Sequence, residues 1–359
     1  MFLRCLERSF ATVLCFLTLS FAGSVSAENC FEESPCKGFK VYGQFLYWKA
    51  SQDQMQYAAV LPNGVQGIMD AVQTAPPLLI SGKPFIVDQK FRYKPGFRIG
   101  FDYSGLCSDW DIGLSWTRLH QKQSSCISRC DQGVIPLEMP AAIAFGFIDR
   151  DESQFGFADA AKSCWNFQYD VIDLQFARDC RFSDCLNFKP FVGVKAASIR
   201  QKQNIEYFGF TLDNAEVIVM GQKKNHFYGI GPSLGFDSCW RICQNWSLSG
   251  GVSAALLYGR FHVKTHPHVL FDVNSIQMNL KNSKKCRVRP TVDANIGLNW
   301  ESCVCGKFPV TIGIAYEMQY WWNQWQPGTS AIGSLINGGS SSQGDLMLQG
   351  LTVNVGLAF

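Results

Sequence analysis

Apolar residues recur at every second position in ten segments of this chain, and a period of two is the strand period. The segments are Phe39 to Ala50, Gly96 to Gly105, Trp110 to Gln121, Trp165 to Arg178, Asn187 to Gln201, Asn225 to Asp237, Trp246 to Lys264, Val288 to Trp300, Phe308 to Tyr320 and Leu346 to Phe359. Val288 to Trp300 is the cleanest. Val288, Val292, Ala294, Ile296, Leu298 and Trp300 share one face, and Arg289, Thr291, Asp293, Asn295 and Asn299 share the other. In Trp165 to Arg178 the apolar phase slips near Val171 and Ile172, which predicts a bulge. Strands of about ten residues fit tilted crossings of a bilayer.

The connections alternate in length. Short ones are Leu106 to Asp109, Asp179 to Leu186, Ser238 to Asn245 and Glu301 to Lys307; long ones are Ser51 to Pro95, Lys122 to Cys164, Lys202 to Lys224, Thr265 to Arg287 and Trp321 to Asp345. This is the pattern of an all-β, antiparallel, up-and-down transmembrane barrel with short periplasmic turns and long extracellular loops. Both termini fall on the short-turn side, as an even strand number requires. Ten strands are explicit. Ile205 to Phe210 with Ala215 to Met220, and Val269 to Lys281, are candidate further hairpins that would give twelve or more. The number matters because a ten-stranded barrel is nearly filled by its own side chains, and a wider one leaves an aqueous channel.

The two ends carry addresses. Arg4 and Arg8, the apolar run Phe10 to Phe21 and the small-x-small site Val25-Ser26-Ala27 read as a secretory signal, cleaved between Ala27 and Glu28. That run is shorter than the roughly 20 residues of a membrane helix. The expected organisation is a signal peptide at 1–27, a periplasmic arm at 28–38 and the barrel at 39–359. At the other end, Leu351, Val353, Val355, Leu357 and Phe359 alternate with Thr352, Asn354, Gly356 and Ala358. The terminal aromatic Phe359 resembles the signal that the assembly machinery of outer-membrane barrels reads.

Composition agrees. Charged residues make up 17% and aromatics 14%, with 32 glycines and a net charge of +3. Few charges and many aromatics suit a barrel with a lipid-facing band. A near-neutral balance implies no nucleic-acid partner.

Of the 15 cysteines, Cys5 and Cys15 lie in the signal, leaving thirteen in an oxidising compartment. Cys30, Cys36, Cys107, Cys180, Cys185, Cys239, Cys243, Cys303 and Cys305 fall on the short-turn side or the arm; Cys126, Cys130, Cys164 and Cys286 fall on the other. Nine thiols on one rim can form a covalent seam to neighbours or staple their own turns, as Cys180 with Cys185 would. Spacing alone does not decide between the two.

Other motifs read as structure. Gly231-Pro-Ser233-Leu-Gly235 fits the nucleophile-elbow pattern, but the strand runs straight through it. His262, His266 and His268 read as a solvated loop cluster rather than a metal site, and Cys303-x-Cys305 as disulfide chemistry rather than zinc. His120, His226 and His262 lie near the extracellular rim without a visible acid–base partner. The basic run Lys281, Lys284, Lys285, Arg287 and Arg289 reads as a solvated loop. No catalytic residue, cofactor or metal is expected.

The strands FYGIGPSLGFDS (Phe227 to Ser238), WSLSGGVSAALLYGRF (Trp246 to Phe261), RPTVDANIGLNW (Arg289 to Trp300) and VYGQFLYWKA (Val41 to Ala50) resemble the major-outer-membrane-protein-like porins of Legionella- and Chlamydia-type bacteria. The resemblance covers nearly the whole mature chain. It implies a pore-forming outer-membrane barrel, in a family with several cysteine-rich, disulfide-linked members. The expectation is therefore a porin for small hydrophilic solutes that also stiffens a disulfide-crosslinked envelope. Arg289, Asp293, Glu317 and Gln319 are the lumen candidates that would set selectivity. Expected partners are outer-membrane lipid, the assembly machinery and disulfide-linked or identical neighbours. A barrel-based adhesin or a rim protease are the alternatives.

Overall fold

The computed structural model describes residues 38–60, 85–105, 110–128, 134–137, 158–212, 215–270, 275–277, 280–304, 308–326 and 343–359. Fifteen strands run through them: β1 (Phe39–Gln52), β2 (Gln56–Val60), β3 (Phe85–Asp88), β4 (Tyr93–Ser104), β5 (Trp110–Ser128), β6 (Val134–Pro136), β7 (Ala160–Arg178), β8 (Cys180–Arg181), β9 (Leu186–Leu212), β10 (Ala215–Arg241), β11 (Trp246–Leu270), β12 (Ser275–Gln277), β13 (Leu280–Val304), β14 (Phe308–Trp325) and β15 (Gly344–Ala358). Ten of these close an antiparallel ring in the order β1-β4-β5-β7-β9-β10-β11-β13-β14-β15, with β15 returning to β1. The closing register pairs Tyr47 with Leu351 and Lys40 with Ala358, and the amide of Phe359 donates to the carbonyl of Phe39 at 2.8 Å. Closure leaves the ring no free edge, the condition for a sheet to cross lipid.

The count is ten, not twelve. Ile205 to Phe210 and Ala215 to Met220 do form a hairpin, but as the upper ends of β9 and β10, with Leu212 opposite Ala215 and Tyr207 opposite Val219. Val269 likewise lies within β11, where it pairs with Ile276 of the short β12. Two stretches read from the sequence as long loops, Lys202 to Lys224 and Thr265 to Arg287, are thus largely strand. Strands β9 and β10 have 27 residues each and β11 and β13 have 25, far more than the 9–11 that a bilayer needs. Their upper parts extend beyond the hydrocarbon.

That excess length explains the apparent phase slip in β7. The pairings of β7 with β5 and β9 run without a register shift through Val171 and Ile172, so there is no bulge. The apolar face changes sides instead. Above the switch, Trp165, Phe167, Tyr169 and Val171 are buried in the barrel; below it, Ile172 and Phe176 are exposed on the outside. The same change occurs in β15, where Leu346 and Leu348 are buried and Leu351, Val353, Val355 and Leu357 point out. Toward the short turns the outer wall is apolar, with Phe45, Ile99, Val192, Ile230, Leu234, Ile296 and Ile314 all exposed. A continuous apolar belt of this kind far exceeds the few hundred Å² that a water-soluble surface carries, and it is what lipid solvates.

A register shift does occur between Trp321 and Trp325 of β14. Asn323 takes a left-handed φ of 52° there. Asp345 holds it: Oδ1 accepts the Asn323 amide at 2.6 Å, and Oδ2 accepts the Tyr320 hydroxyl at 2.5 Å. The irregularity brings Trp321, Gln324 and Trp325 all to buried positions.

A second sheet, in the order β3-β2-β6, comes from the connections that follow β1 and β5. Tyr57, Ala58, Val60, Val87 and Val134 pack on Ala161, Ile205, Tyr207 and Val219 of the upper wall, and the Tyr207 hydroxyl donates to the Tyr57 carbonyl.

The proposed signal, its cleavage residues Ala27 and Glu28, and the arm with Cys30 and Cys36 lie outside the described residues, as do Cys107, Cys130 and Cys305. Gly231-Pro-Ser233-Leu-Gly235 is continuous strand. Gly231 faces the neighbouring backbone so closely that a Cβ would stand 1.9 Å from the Leu256 carbonyl oxygen, and Ser233 is buried opposite Ala255.

Candidate functional site: the barrel interior

Because side chains alternate across each strand, every residue between two lipid-facing ones points into the barrel. In the lower half most of these positions are polar, glycine or alanine, with Phe191 a buried exception, and several of the charged ones are paired. Arg98 lies between the exposed Phe97 and Ile99. Its guanidinium forks onto Glu317, Nη1 donating to Oε1 at 3.1 Å and Nη2 to Oε2 at 2.9 Å. It also donates to Gln44 at 2.7 Å and Thr117 at 2.8 Å, and stands 5.4 Å from the Trp48 ring centre. Every edge of this fork has a partner, which is what a buried cation requires.

Lys195 is 4% exposed and sits between two carboxylates, 3.3 Å from Asp173 and in direct contact with Asp293. The Ser253 hydroxyl donates to Asp293 at 3.3 Å. Nearer the short turns, Lys189 contacts Asp111, with Asp179 at 3.9 Å. There the interior opens into a polar cavity of about 250 Å³, lined among others by Lys40, Lys189, Asp237, Asn295, Asn299 and Asn354.

The upper half is filled differently. Trp48, Trp165, Phe167, Tyr169, Phe227, Phe261, Leu257, Trp321 and Leu348 form one buried apolar tier across the barrel. Trp165 stacks on Phe167 at 4.9 Å, Tyr169 meets Trp321 edge-on at 5.9 Å, and Phe227 lies 4.7 Å from Phe261. Glutamines thread this tier: Gln121 donates to the Trp48 carbonyl at 2.9 Å and Gln201 to Gln52 at 2.8 Å.

The four lumen residues named from sequence all face the interior, but in different settings. Glu317 is bound to Arg98, and Asp293 to Lys195. Gln319 accepts the Tyr169 hydroxyl at 2.6 Å. Arg289 stands apart: it donates to Gln343 at 3.1 Å and covers the Phe261 ring at 4.9 Å, with no carboxylate partner among the described residues. Arg98, Lys195, Asp173 and Tyr169 were missed. The signal for Arg98 was present, since a charge between Phe97 and Ile99 on a barrel strand faces inward.

Cys180, Cys239 and Cys243 lie at the short-turn end without a disulfide, so Cys180 does not bridge Cys185 in the structure. Cys303 lies in β13. Cys126, Cys164 and Cys286 are unbridged too, on the outer wall toward the long loops. Phe359 is 62% exposed and continues the outward row of Leu357. Among the described residues no group of histidine, cysteine and acidic side chains is arranged to hold a metal.

A closed ring of ten antiparallel strands, apolar outside and charged within, defines a bacterial outer-membrane β-barrel. Residues 33–359 match the family model described as Legionella pneumophila major outer membrane protein precursor, and the chain belongs to that family. No curated protein matches the sequence. Among solved structures, a Pseudomonas aeruginosa FadL homologue aligns over 90% of this chain and 90% of its own, at 8% identity and a TM-score of 0.29. The translocator domain of the autotransporter NalP from Neisseria meningitidis aligns over 98% and 97%, at 9% identity and a TM-score of 0.29. The CymD monoaromatic hydrocarbon channel aligns over 90% and 89%, at 7% identity and a TM-score of 0.31.

Proposed function

We propose that this barrel is a narrow, gated outer-membrane channel for ions and small hydrophilic solutes. The observation that carries the reading is the polar column in the lower interior. It runs from the cavity at Lys189 and Asp237, past Lys195 between Asp173 and Asp293, to the Arg98–Glu317 fork. Charged groups spaced along a narrow interior replace a solute's hydration shell and select it by charge. The aromatic tier above is the gate: a solute passes only when Trp48, Trp165 and their neighbours move. A wide, permanently open pore does not fit ten filled strands. The protein acts without chemistry, and its lumen binds no cofactor.

A rival reading, a non-conducting surface scaffold or adhesin, is favoured by the same closed tier. Planar-bilayer recordings separate the two. A gated channel gives small, infrequent openings, and Trp48→Ala makes them larger or more frequent. Arg289→Glu shifts the reversal potential in a salt gradient toward cation preference, because Arg289 is a buried interior cation with no carboxylate partner among the described residues. Silence from both the native protein and Trp48→Ala, with the barrel folded, sinks the channel in favour of the scaffold.

The thiols at the short-turn end support a further structural role, crosslinking barrels into a stiff envelope. Non-reducing gels of envelopes prepared under thiol block should then show high-mass bands that reductant collapses to monomer.

A further inference from the structure

The outer wall formed by β5, β7, β9, β10 and β11 carries a feature that a channel does not use. Climbing this wall, the outward residues of β9, β10 and β11 change from apolar or small to basic, while on β7 Ile172 gives way to Asp170, Gln168 and Asn166. On β9, Val194, Ala196 and Ser198 give way to Arg200 and Lys202; on β10, Ile230 and Tyr228 give way to His226 and Lys224; on β11, Leu256 and Tyr258 give way to Arg260, His262 and Lys264. The register sets Lys202 opposite Lys224, and Lys224 opposite Lys264. On the other side Lys202 faces Asn166, which faces Lys122. Four lysines and one asparagine thus form a single row across five strands, and Arg200 and Arg260 lie just below it.

Like charges directly opposite one another on strands about 4.8 Å apart destabilise a sheet. The row itself contains no carboxylate. Among the described residues, Lys202, Lys224 and Lys264 make no ion pair, and Asp170 on this wall lies 3.7 Å from Arg118. The opposite wall shows that the fold does not demand such a row. Where the apolar belt ends there, Tyr47, Tyr93, Tyr316 and Met318 point outward, and Lys49 is flanked by Gln349 and Tyr93.

Directly beneath the basic row the wall is hollowed. A groove of about 540 Å³ runs between Trp116, Ile172, Ala196, Ile230 and Tyr258, with Arg260 at its upper edge and Asp170, beside Arg118, on the same level. Its lining is mostly apolar, and it faces the bilayer. An apolar groove that ends in a row of cations, at the boundary between hydrocarbon and water, is complementary to an amphiphile. The acyl chain takes the groove, and anionic headgroup oxygens take the ammonium and guanidinium groups. Three lysines on adjacent strands span roughly 10 Å, enough for more than one phosphate.

We propose that this wall is a specific binding site for a multiply phosphorylated lipid of the outer leaflet. Each lysine or arginine at a membrane surface strengthens the hold on anionic headgroups about fivefold. The ligand also neutralises the repulsion within the row, so it stabilises the upper wall.

The test uses the full-length barrel in nanodiscs of zwitterionic lipid. The probes are an acylated glucosamine disaccharide carrying two phosphates, its deacylated form, and inorganic pyrophosphate, with binding read by native mass spectrometry and titration. Lys202→Gln with Lys224→Gln and Lys264→Gln should weaken the acylated probe by at least about tenfold. Lys49→Gln on the opposite wall should change nothing. Ala196→Trp, which fills the groove, should weaken the acylated probe and leave the deacylated one unaffected. Heat-modifiable migration on gels checks that each variant is folded. If the triple variant does not fold, Lys224→Gln alone should weaken binding and Lys224→Arg should restore it. Unchanged affinity in the folded lysine variants overturns the site. Equal binding of the acylated and deacylated probes, with no effect of Ala196→Trp, identifies a soluble-anion surface and overturns the lipid assignment.

Discussion

The two halves of this barrel obey opposite rules on the same ten strands. In the lower half, Ile99, Val194, Ile230 and Ile314 face outward, while Arg98, Lys195, Asp293 and Glu317 face inward. In the upper half the arrangement inverts: Trp48, Trp165, Phe167 and Trp321 are inside, and Arg118, Lys122, Lys202, Lys224 and Lys264 are outside. The difference is solvent. Lipid surrounds the lower wall, so apolar groups go out and polar groups must satisfy one another within. Water surrounds the upper wall, so the strands there behave as a small soluble barrel with its own hydrophobic core. One continuous ladder of hydrogen bonds joins the halves, and only the side chains change sides.

The comparison breaks first at the two cores. Lys195→Ala leaves Asp173 and Asp293 facing each other unpaired, at an expected cost of about 3–5 kcal/mol. Trp165→Ala removes a fully buried indole from the upper core, at a similar cost of about 3–5 kcal/mol. Both appear as lowered midpoints in urea unfolding followed by the heat-modifiable gel shift. The two differ in rescue. Replacing the whole lower triad by apolar residues of similar volume should recover much of the loss, as it does for buried ion networks generally. Failure of that rescue would show that the triad is held by more than mutual compensation.

The outer wall gives the next effect. Leu234→Arg places a charge at the middle of the lipid-facing belt and should destabilise by about 2–4 kcal/mol. Lys224→Ala, ten residues away on the same face of β10, should lie within about 0.5 kcal/mol of the native protein in lipid-free detergent. Equal costs at the two positions would show that the belt does not end between them.

The smallest effect concerns the loop-borne sheet. Burial raises the Asp88 carboxyl above the usual carboxylate range, against a hydrogen bond from Gln56 that lowers it. Burial, then the neighbouring Asp345, raises Asp53 in the same direction. A raised folded value favours the neutral acid, so this sheet is most stable below the unfolded carboxylate value of about 3.9. It loses stability as pH rises from there through the raised value, and is level above it. Hydrogen exchange at 56–60 and 85–88 should therefore be better protected at pH 4 than at pH 7, after correction for the intrinsic rate. Equal protection would place these carboxylates in water.

The apparent bulge at Val171 and Ile172 shows where reading the sequence stopped. Local alternation does not mark which solvent a face meets, so a change of side looks like a slip of register. For the same reason Trp165, Phe167 and Tyr169 do not read as a core, whereas Arg98 and Lys195 lie where the apolar face does meet lipid. The extra hairpins at Ile205 to Phe210 and Ala215 to Met220 were read correctly as strand, yet as new strands rather than the tops of old ones.

By itself the sequence determined the class of the protein, because a period of two over ten segments allows one kind of element and only a closed ring of it spans lipid. It determined which residues share a face, including Arg289 with Asp293 and Glu317 with Gln319, because alternation is local. What it left to the tertiary structure was which side of the wall each face meets, which charges pair across the lumen, and whether the lumen is open. The partners of Arg98 and Lys195 lie 219 and 98 residues away along the chain. Such contacts follow from strand number, register and closure, which no single strand contains.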